Sequence, residues 1–228
     1  MTQRIDSIGE REIVLVMGMT GWGKSWWSKL YHKKWNRSLV YDPAMSFPNV
    51  IWGTIADHAD DLLDDDFSEV DNEQPKNFKR GFIDADECEQ GGSLTFALGH
   101  TIFFIEECAT VFDKGLARMP EWARRLCFYG RHRSCSIVLI AQRPTYIPID
   151  FRSQANRVIT FCQHEGADMD WLQDFFGKER MKSMMSLPKF TCYDYHDGQV
   201  SQYSIQDSVR EVFGVSLDVG RSSVIPLI

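Results

Sequence analysis

The sequence predicts an α/β fold, a mainly parallel sheet flanked by helices with a β-hairpin near its C-terminal end. Short, uniformly apolar runs alternate with helical stretches, the pattern of strands buried on both faces beneath covering helices. A glycine-rich pattern, Gly18 to Ser25, joins the first of these runs to the first helix. Beyond Phe190 the pattern changes to strict alternation around Asp197-Gly198, a hairpin signal.

In chain order, strands are expected at Ile13 to Met17, Leu39 to Asp42, Thr101 to Ile105, Ile137 to Ala141 and Arg157 to Phe161. Each is apolar and rich in β-branched or aromatic residues. Helices are expected over Lys24 to Trp35 and Pro120 to Tyr129, the second opening with proline at its first turn. Ala56 to Asp71, with Asp60, Asp61, Asp64, Asp65 and Asp66, reads as a solvated helix face or loop. The hairpin pairs 191–195 with 201–205 at the sheet edge.

A chain of 228 residues supports one α/β domain with a real core. The domain is expected to span 1–205, including an edge hairpin at 189–205, and to be followed by a tail, 206–228, without assigned structure. A net charge of -7 argues against a histone-like coat of positive charge, so nucleic-acid contacts would have to be local. The six cysteines are dispersed, with no Cys-x-x-Cys pair, and read as buried free thiols of a reducing compartment. Neither a signal peptide nor a membrane span is expected, because the longest apolar runs, near 13–17 and 137–141, are far too short.

Chemistry begins at Gly18-Met19-Thr20-Gly21-Trp22-Gly23-Lys24-Ser25. A strand precedes this G-x-x-x-x-G-K-S pattern and a helix follows it, so backbone N–H groups of residues 21–25 can converge on a phosphate at a helix N-terminus. The nucleotide-binding stretch is therefore Gly18, Gly21, Trp22, Gly23, Lys24, Ser25 and Trp26. Lys24 would neutralise the β and γ phosphates of ATP, and the Ser25 hydroxyl would ligate Mg2+. Trp26 and Trp27 are expected in the core or against a neighbouring subunit. Trp22, in the loop itself, is placed to shield the phosphates or meet a neighbour.

The run Thr101 to Ile105 ends in Glu106-Glu107, at the carboxyl edge of the predicted sheet. Glu106 could hold Mg2+ directly or through water, and Glu107 could orient and deprotonate an attacking water. Adjacent carboxylates suit a hydrolase better than a nucleoside kinase. With no Asn-Lys-x-Asp guanine-reading pattern, ATP is the expected nucleotide. A third apolar run, Ser136 to Ala141, ends in Gln142-Arg143-Pro144, which would set Gln142 beside the γ-phosphate as a sensor of its loss.

Together these stretches resemble the FtsK and HerA superfamily of ring-forming, DNA-pumping ATPases over most of residues 12–165. The resemblance rests on Gly18 to Ser25, the strand and acids at 101–107, the strand and Gln-Arg-Pro at 136–144, and Asp42-Pro43 after the second strand. A bare motor carrying only a hairpin and a short tail looks most like the tectivirus-type packaging ATPases of membrane-containing icosahedral viruses. One departure is Glu106, where the bacterial translocases usually have Asp.

The resemblance implies a RecA-like P-loop core and a homo-oligomeric ring, a hexamer in the family pattern. It also implies double-stranded DNA and viral vertex or capsid proteins as partners, at the virion packaging vertex and in the host cytoplasm. An arginine acting in the neighbouring subunit's site is implied at Arg131, with Arg133 as the alternative. Candidate DNA-facing cations are Lys76, Lys79 and Arg80, and Lys114, Arg118, Arg124 and Arg125.

The expected function is thus ATP-driven translocation of double-stranded DNA into a preformed capsid. The catalytic set is Glu107, Glu106, Gln142 and Arg131, and the metal set is Ser25 and Glu106. Alternatives are another phage-assembly or DNA-pumping ATPase of the superfamily, a small-molecule kinase, or a nucleotide-binding structural protein of a virion vertex.

Overall fold

The computed structural model describes residues 11–64, 76–112 and 119–217. Among them, nine strands form one sheet: β1 (Ile13–Met17), β2 (Arg37–Tyr41), β3 (Ile51–Trp52), β4 (Phe78–Phe82), β5 (Ile102–Ile105), β6 (Ser136–Ala141), β7 (Arg157–Thr160), β8 (Thr191–His196) and β9 (Gln199–Ser204). Their order is β3-β4-β2-β5-β6-β1-β7-β8-β9. The sheet is parallel from β3 to β7, and β8 and β9 extend it antiparallel. The helices are α1 (Lys24–His32), α2 (Ile55–Asp64), α3 (Cys88–Leu98), α4 (Cys108–Val111), α5 (Glu121–Tyr129), α6 (Ile149–Gln154), α7 (Gly166–Met184) and α8 (Gln206–Phe213).

Each central strand is buried on both faces, which is why the sequence shows continuous rather than alternating apolar runs. Val14, Val16, Phe104 and Ile140 point to the face covered by α1 and α8. Leu15, Met17, Phe103 and Leu139 point to the face covered by α3, α5, α6 and α7. Fully burying each such side chain is worth about 1.5–3 kcal/mol, so these layers set the register.

The hairpin forms as expected, with Asp197 at φ 48° and Gly198 at φ 79°, the paired positive values of a type I′ turn. Strands β3 and β4 and helices α3, α6 and α7 occupy stretches that the sequence left unassigned. In the expected acidic segment, α2 exposes Asp57, Asp60 and Asp61, whereas Asp65 and Asp66 lie outside the described residues. Lys114, Arg118 and residues 218–228 also lie outside them. The six cysteines are buried and free. No helix among the described residues is long and apolar enough to cross a membrane.

After Ile205 the chain forms α8, which docks on α1 through the fully buried Val209 and a Trp26–Phe213 ring contact at 5.6 Å. Trp27 lies in the core, 4% exposed and stacked on Tyr31 at 4.9 Å, with its indole N–H donated to the Tyr203 hydroxyl at 2.9 Å. Arg157 stacks over Trp27 and Tyr31 and forms a paired hydrogen bond with Asp194, at 3.1 and 2.7 Å. Thus the expectation of core packing holds for Trp27, while Trp26 faces the C-terminal helix.

Candidate nucleotide-binding site

Strand register brings the expected site residues other than Arg131 to one edge of the sheet. β1 and β6 pair Met17 with Ala141, so Gly18 and Gln142 leave the sheet side by side. β5 and β6 pair Ile105 with Leu139, which sets Glu106 and Glu107 beside Ile140 and Ala141. The phosphate loop, the acid pair and Gln142 therefore issue from three adjacent strand ends.

The loop needs its glycines. Gly18 has φ 145°, and a Cβ there would stand 2.6 Å from that of Phe161. Gly23, the N-cap of α1, has φ 116° and is packed by Ile205, Phe161 and Phe190, each 3.1 Å from a would-be Cβ. Side chains are rare in such backbone, and the space is filled as well. Trp22 is half-buried against both sides of the core, and its carbonyl accepts the Phe190 N–H at 3.1 Å.

Lys24 turns back over its own loop, donating to the carbonyls of Gly18 at 2.8 Å and Met19 at 3.2 Å. Burial lowers its pKa, and the charges of Glu107 and Glu106 oppose that shift. The ammonium thus lies within the field of both carboxylates.

The Ser25 hydroxyl donates to Glu106, whose own N–H continues the ladder to Tyr41 at 3.0 Å. Burial, assisted by the charge of Asp42, pushes Glu106 up to about 7 against the pull of Ser25, Lys29 and Lys24. Glu106 and Glu107 each retain one buried carboxylate oxygen without a partner. Such orphaned oxygens are costly unless a ligand completes them. A hard cation held by Ser25 and Glu106, with a water at Glu107, matches these donors, since Mg2+ takes few protein ligands and completes its shell with phosphates and water. No cluster of three or more His, Cys, Asp or Glu that could hold a metal occurs among the described residues.

Gln142 is exposed, and Gln163 donates its amide to the Gln142 carbonyl at 2.9 Å. Arg131 and Arg133 sit in a 3₁₀ turn, Gly130–Arg133, before β6. That is the far edge of the sheet, about 20 Å away at 3.3 Å per strand residue. Arg133 is occupied with the carbonyls of Phe96 and Ala97 at the end of α3. Arg131 is exposed, and its Nε lies 3.4 Å from the neighbouring His132 Nε2. Neither arginine is brought to this chain's own phosphate loop. Of the expected cations, Lys79 donates to the His32 carbonyl, Arg80 pairs with Asp61, and Arg124 pairs with Glu121.

Asp42 and Gln163 were not singled out from the sequence as site-lining groups. Buried Asp42 accepts from Ala44 N, Ser46 N and Ser46 Oγ, tying down the chain beside Glu106. Gln163 carries the same signal as Gln142, a polar side chain just past a buried strand.

The genome packaging NTPase B204 of Sulfolobus turreted icosahedral virus 2, solved with ATP-gammaS, superposes at TM-score 0.67 and 16% identity, over 86% of this chain and 98% of that one. Its AMPPCP complex gives TM-score 0.66 at the same identity and coverage. The fold is the P-loop NTPase fold of these structures. VirB4 of Thermoanaerobacter pseudethanolicus shares this ATPase fold at TM-score 0.59 and 10% identity, over 84% of this chain and 88% of that one. No protein-family model and no curated protein sequence matches the chain. The P-loop ATPase fold accounts for the edge at which Lys24, Glu106 and Gln142 meet, because open parallel sheets bind ligands beyond the carboxyl ends of their strands.

Proposed function

We propose that the protein is an ATP-driven motor that translocates double-stranded DNA into a preformed viral capsid, working as a ring of identical subunits at a packaging vertex. The observation that carries this is the meeting of Lys24, Ser25, Glu106 and Glu107 at one sheet edge, on a fold matching nearly the whole of a genome packaging NTPase. The glycine loop and Lys24 would hold the β and γ phosphates, and Ser25 and Glu106 would hold Mg2+. When bound, the metal supplies positive charge against the transferring phosphoryl group.

Glu107 then orients the attacking water and accepts its proton at its unpartnered oxygen. Gln142, beside Gly18, stands where loss of the γ-phosphate would change its hydrogen bonding. Arg131, exposed at the opposite edge, would serve a neighbour's site, where an added cation is worth orders of magnitude in rate.

The deciding experiment is hydrolysis by the purified protein with and without double-stranded DNA. Stimulation by DNA is expected, and Glu107→Gln should retain ATP while losing about 100-fold or more in kcat. ATP binding without turnover would instead identify a structural nucleotide-binding protein. Turnover indifferent to DNA but transferring phosphate to a small acceptor would identify a kinase.

A further inference from the structure

The eight residues from Phe161 to Asp168, which are the β7–α7 connection and the first turn of α7, reach across β1 to touch the end of β6. At their start they hold the phosphate loop. Phe161 N donates to Met17 O at 2.9 Å, Met19 N donates to Cys162 O at 3.1 Å, and Gly18 lies against Phe161. Further on they hold the Gln142 end of β6. Gln163, 2% exposed, donates its side-chain amide to the Gln142 carbonyl at 2.9 Å. Asp168, fully buried, accepts from Arg143 Nε at 2.8 Å, and Glu165 lies 3.8 Å from the same guanidinium.

Neither contact is needed to keep the strands together, because β1 already pairs with β6 and with β7. Each costs desolvation that an apolar residue would avoid, since a buried carboxylate and a buried amide must find partners inside the protein. Both polar groups converge on consecutive residues, Gln142 and Arg143.

We infer that Gln163 and Asp168 are positioning residues for the γ-phosphate end of the site. One fixes the Gln142 backbone directly and the other fixes it through Arg143, so that Gln142 keeps its height relative to the phosphate loop that the same segment grips. This inference rests on the proposed ATPase function. Because the segment bridges the two loops, a nucleotide that moves the phosphate loop also moves the clamp on Gln142. A misplacement of about 1 Å in such a site can cost about 100-fold in rate, so the effect is measurable.

The test uses the full chain carrying Gln163→Leu, Asp168→Asn, Arg143→Gln, and the double variant Arg143→Gln/Asp168→Asn. Hydrolysis gives kcat and KM, and displacement of a fluorescent nucleotide gives affinities for ADP and ATP-gammaS. Each single variant is expected to lose about 10- to 100-fold in kcat and about tenfold in ATP-gammaS affinity, with ADP affinity unchanged because the phosphate loop is intact. The double variant should lose no more than its worse single variant.

Equal loss of ADP and ATP-gammaS, or unchanged kcat and ATP-gammaS affinity, overturns the inference, and additive losses in the double variant overturn the Arg143–Asp168 pairing. Should the buried substitutions prevent folding, Arg143→Gln, at the partly exposed end of the pair, decides the matter alone. A wild-type protein that hydrolyses ATP while these variants behave like it removes only this inference. A wild-type protein that neither binds nor hydrolyses ATP removes the proposed function and this inference with it.

Discussion

Single residues decide the most at the phosphate loop and at the end of α1. Gly18→Ala adds one methyl where φ is 145° and Phe161 is 2.6 Å away. A cost of about 1–3 kcal/mol in folding and the loss of nucleotide affinity are expected, measurable by urea denaturation and nucleotide displacement. At the C-terminal end of α1, His32 is buried, its Nε2 2.8 Å from the Ser38 hydroxyl and its ring edge-on to Phe47 and Phe104 at 5.3 Å. Burial, with a smaller push from Lys79, lowers its pKa from 6.5 to about 3. The unfolded chain therefore takes up a proton that the folded state refuses.

His32's contribution is complete above pH 6.5 and is lost as the pH falls toward 3, by about 2 kcal/mol between pH 7 and pH 5. Urea titrations at these two values should show His32→Gln losing about that much less stability than wild type. Equal losses would count against it. The sequence does not announce this histidine, because its burial depends on Phe47 and Phe104, which lie far along the chain.

At the scale of elements, what was legible is what one local pattern specifies. β1 and the Asp197-Gly198 turn follow from an apolar run and a turn dipeptide and could be read directly, but the hairpin strands reach His196 and Gln199, past the expected 195 and 201, because a two-residue turn lets pairing run up to its edge. β4 could not, because Lys79, Arg80 and Gly81 interrupt it, and Gly81 is required because a Cβ there would stand 2.6 Å from the Trp52 ring. Helix α3 was hidden by Gly91-Gly92, residues that disfavour helices. Here the tertiary structure demands them, since a Cβ at Gly92 would stand 2.2 Å from Trp122 and one at Gly91 2.9 Å from Phe82.

Across elements, Arg157 and Asp194 tie β7 to β8 beneath α1, with the Tyr203 hydroxyl donating to Asp194 at 3.0 Å. Asp194→Ala leaves a mostly buried guanidinium unpaired. A loss of about 3–5 kcal/mol in unfolding free energy is expected by chemical denaturation. The mate of Asp194 could not be read from the sequence, because register, not spacing, brings the two together.

For the whole molecule, the site was legible as three strand-end motifs, and the geometry adds which of them meet. Gly18, Glu106 and Gln142 converge, but Arg131 faces away by the length of β6. If subunits close into a ring, Arg131→Ala and Lys24→Ala proteins, each inactive alone, should regain part of the hydrolysis when mixed. At mixed interfaces an intact arginine then meets an intact loop. Absence of recovery across mixing ratios, with assembly verified by light scattering, would remove Arg131 from the site.

The ends of the sheet bear on that assembly. On one side β3 is two residues long, and on the other β9 exposes Gln199, Ser201, Gln202 and Ser204. A short or polar margin is a poor template for another strand. Copies crowded together are thereby steered away from strand-on-strand growth and toward contacts between helices and loops. Among the described residues, both margins of the sheet thus discourage one copy from extending the sheet of another.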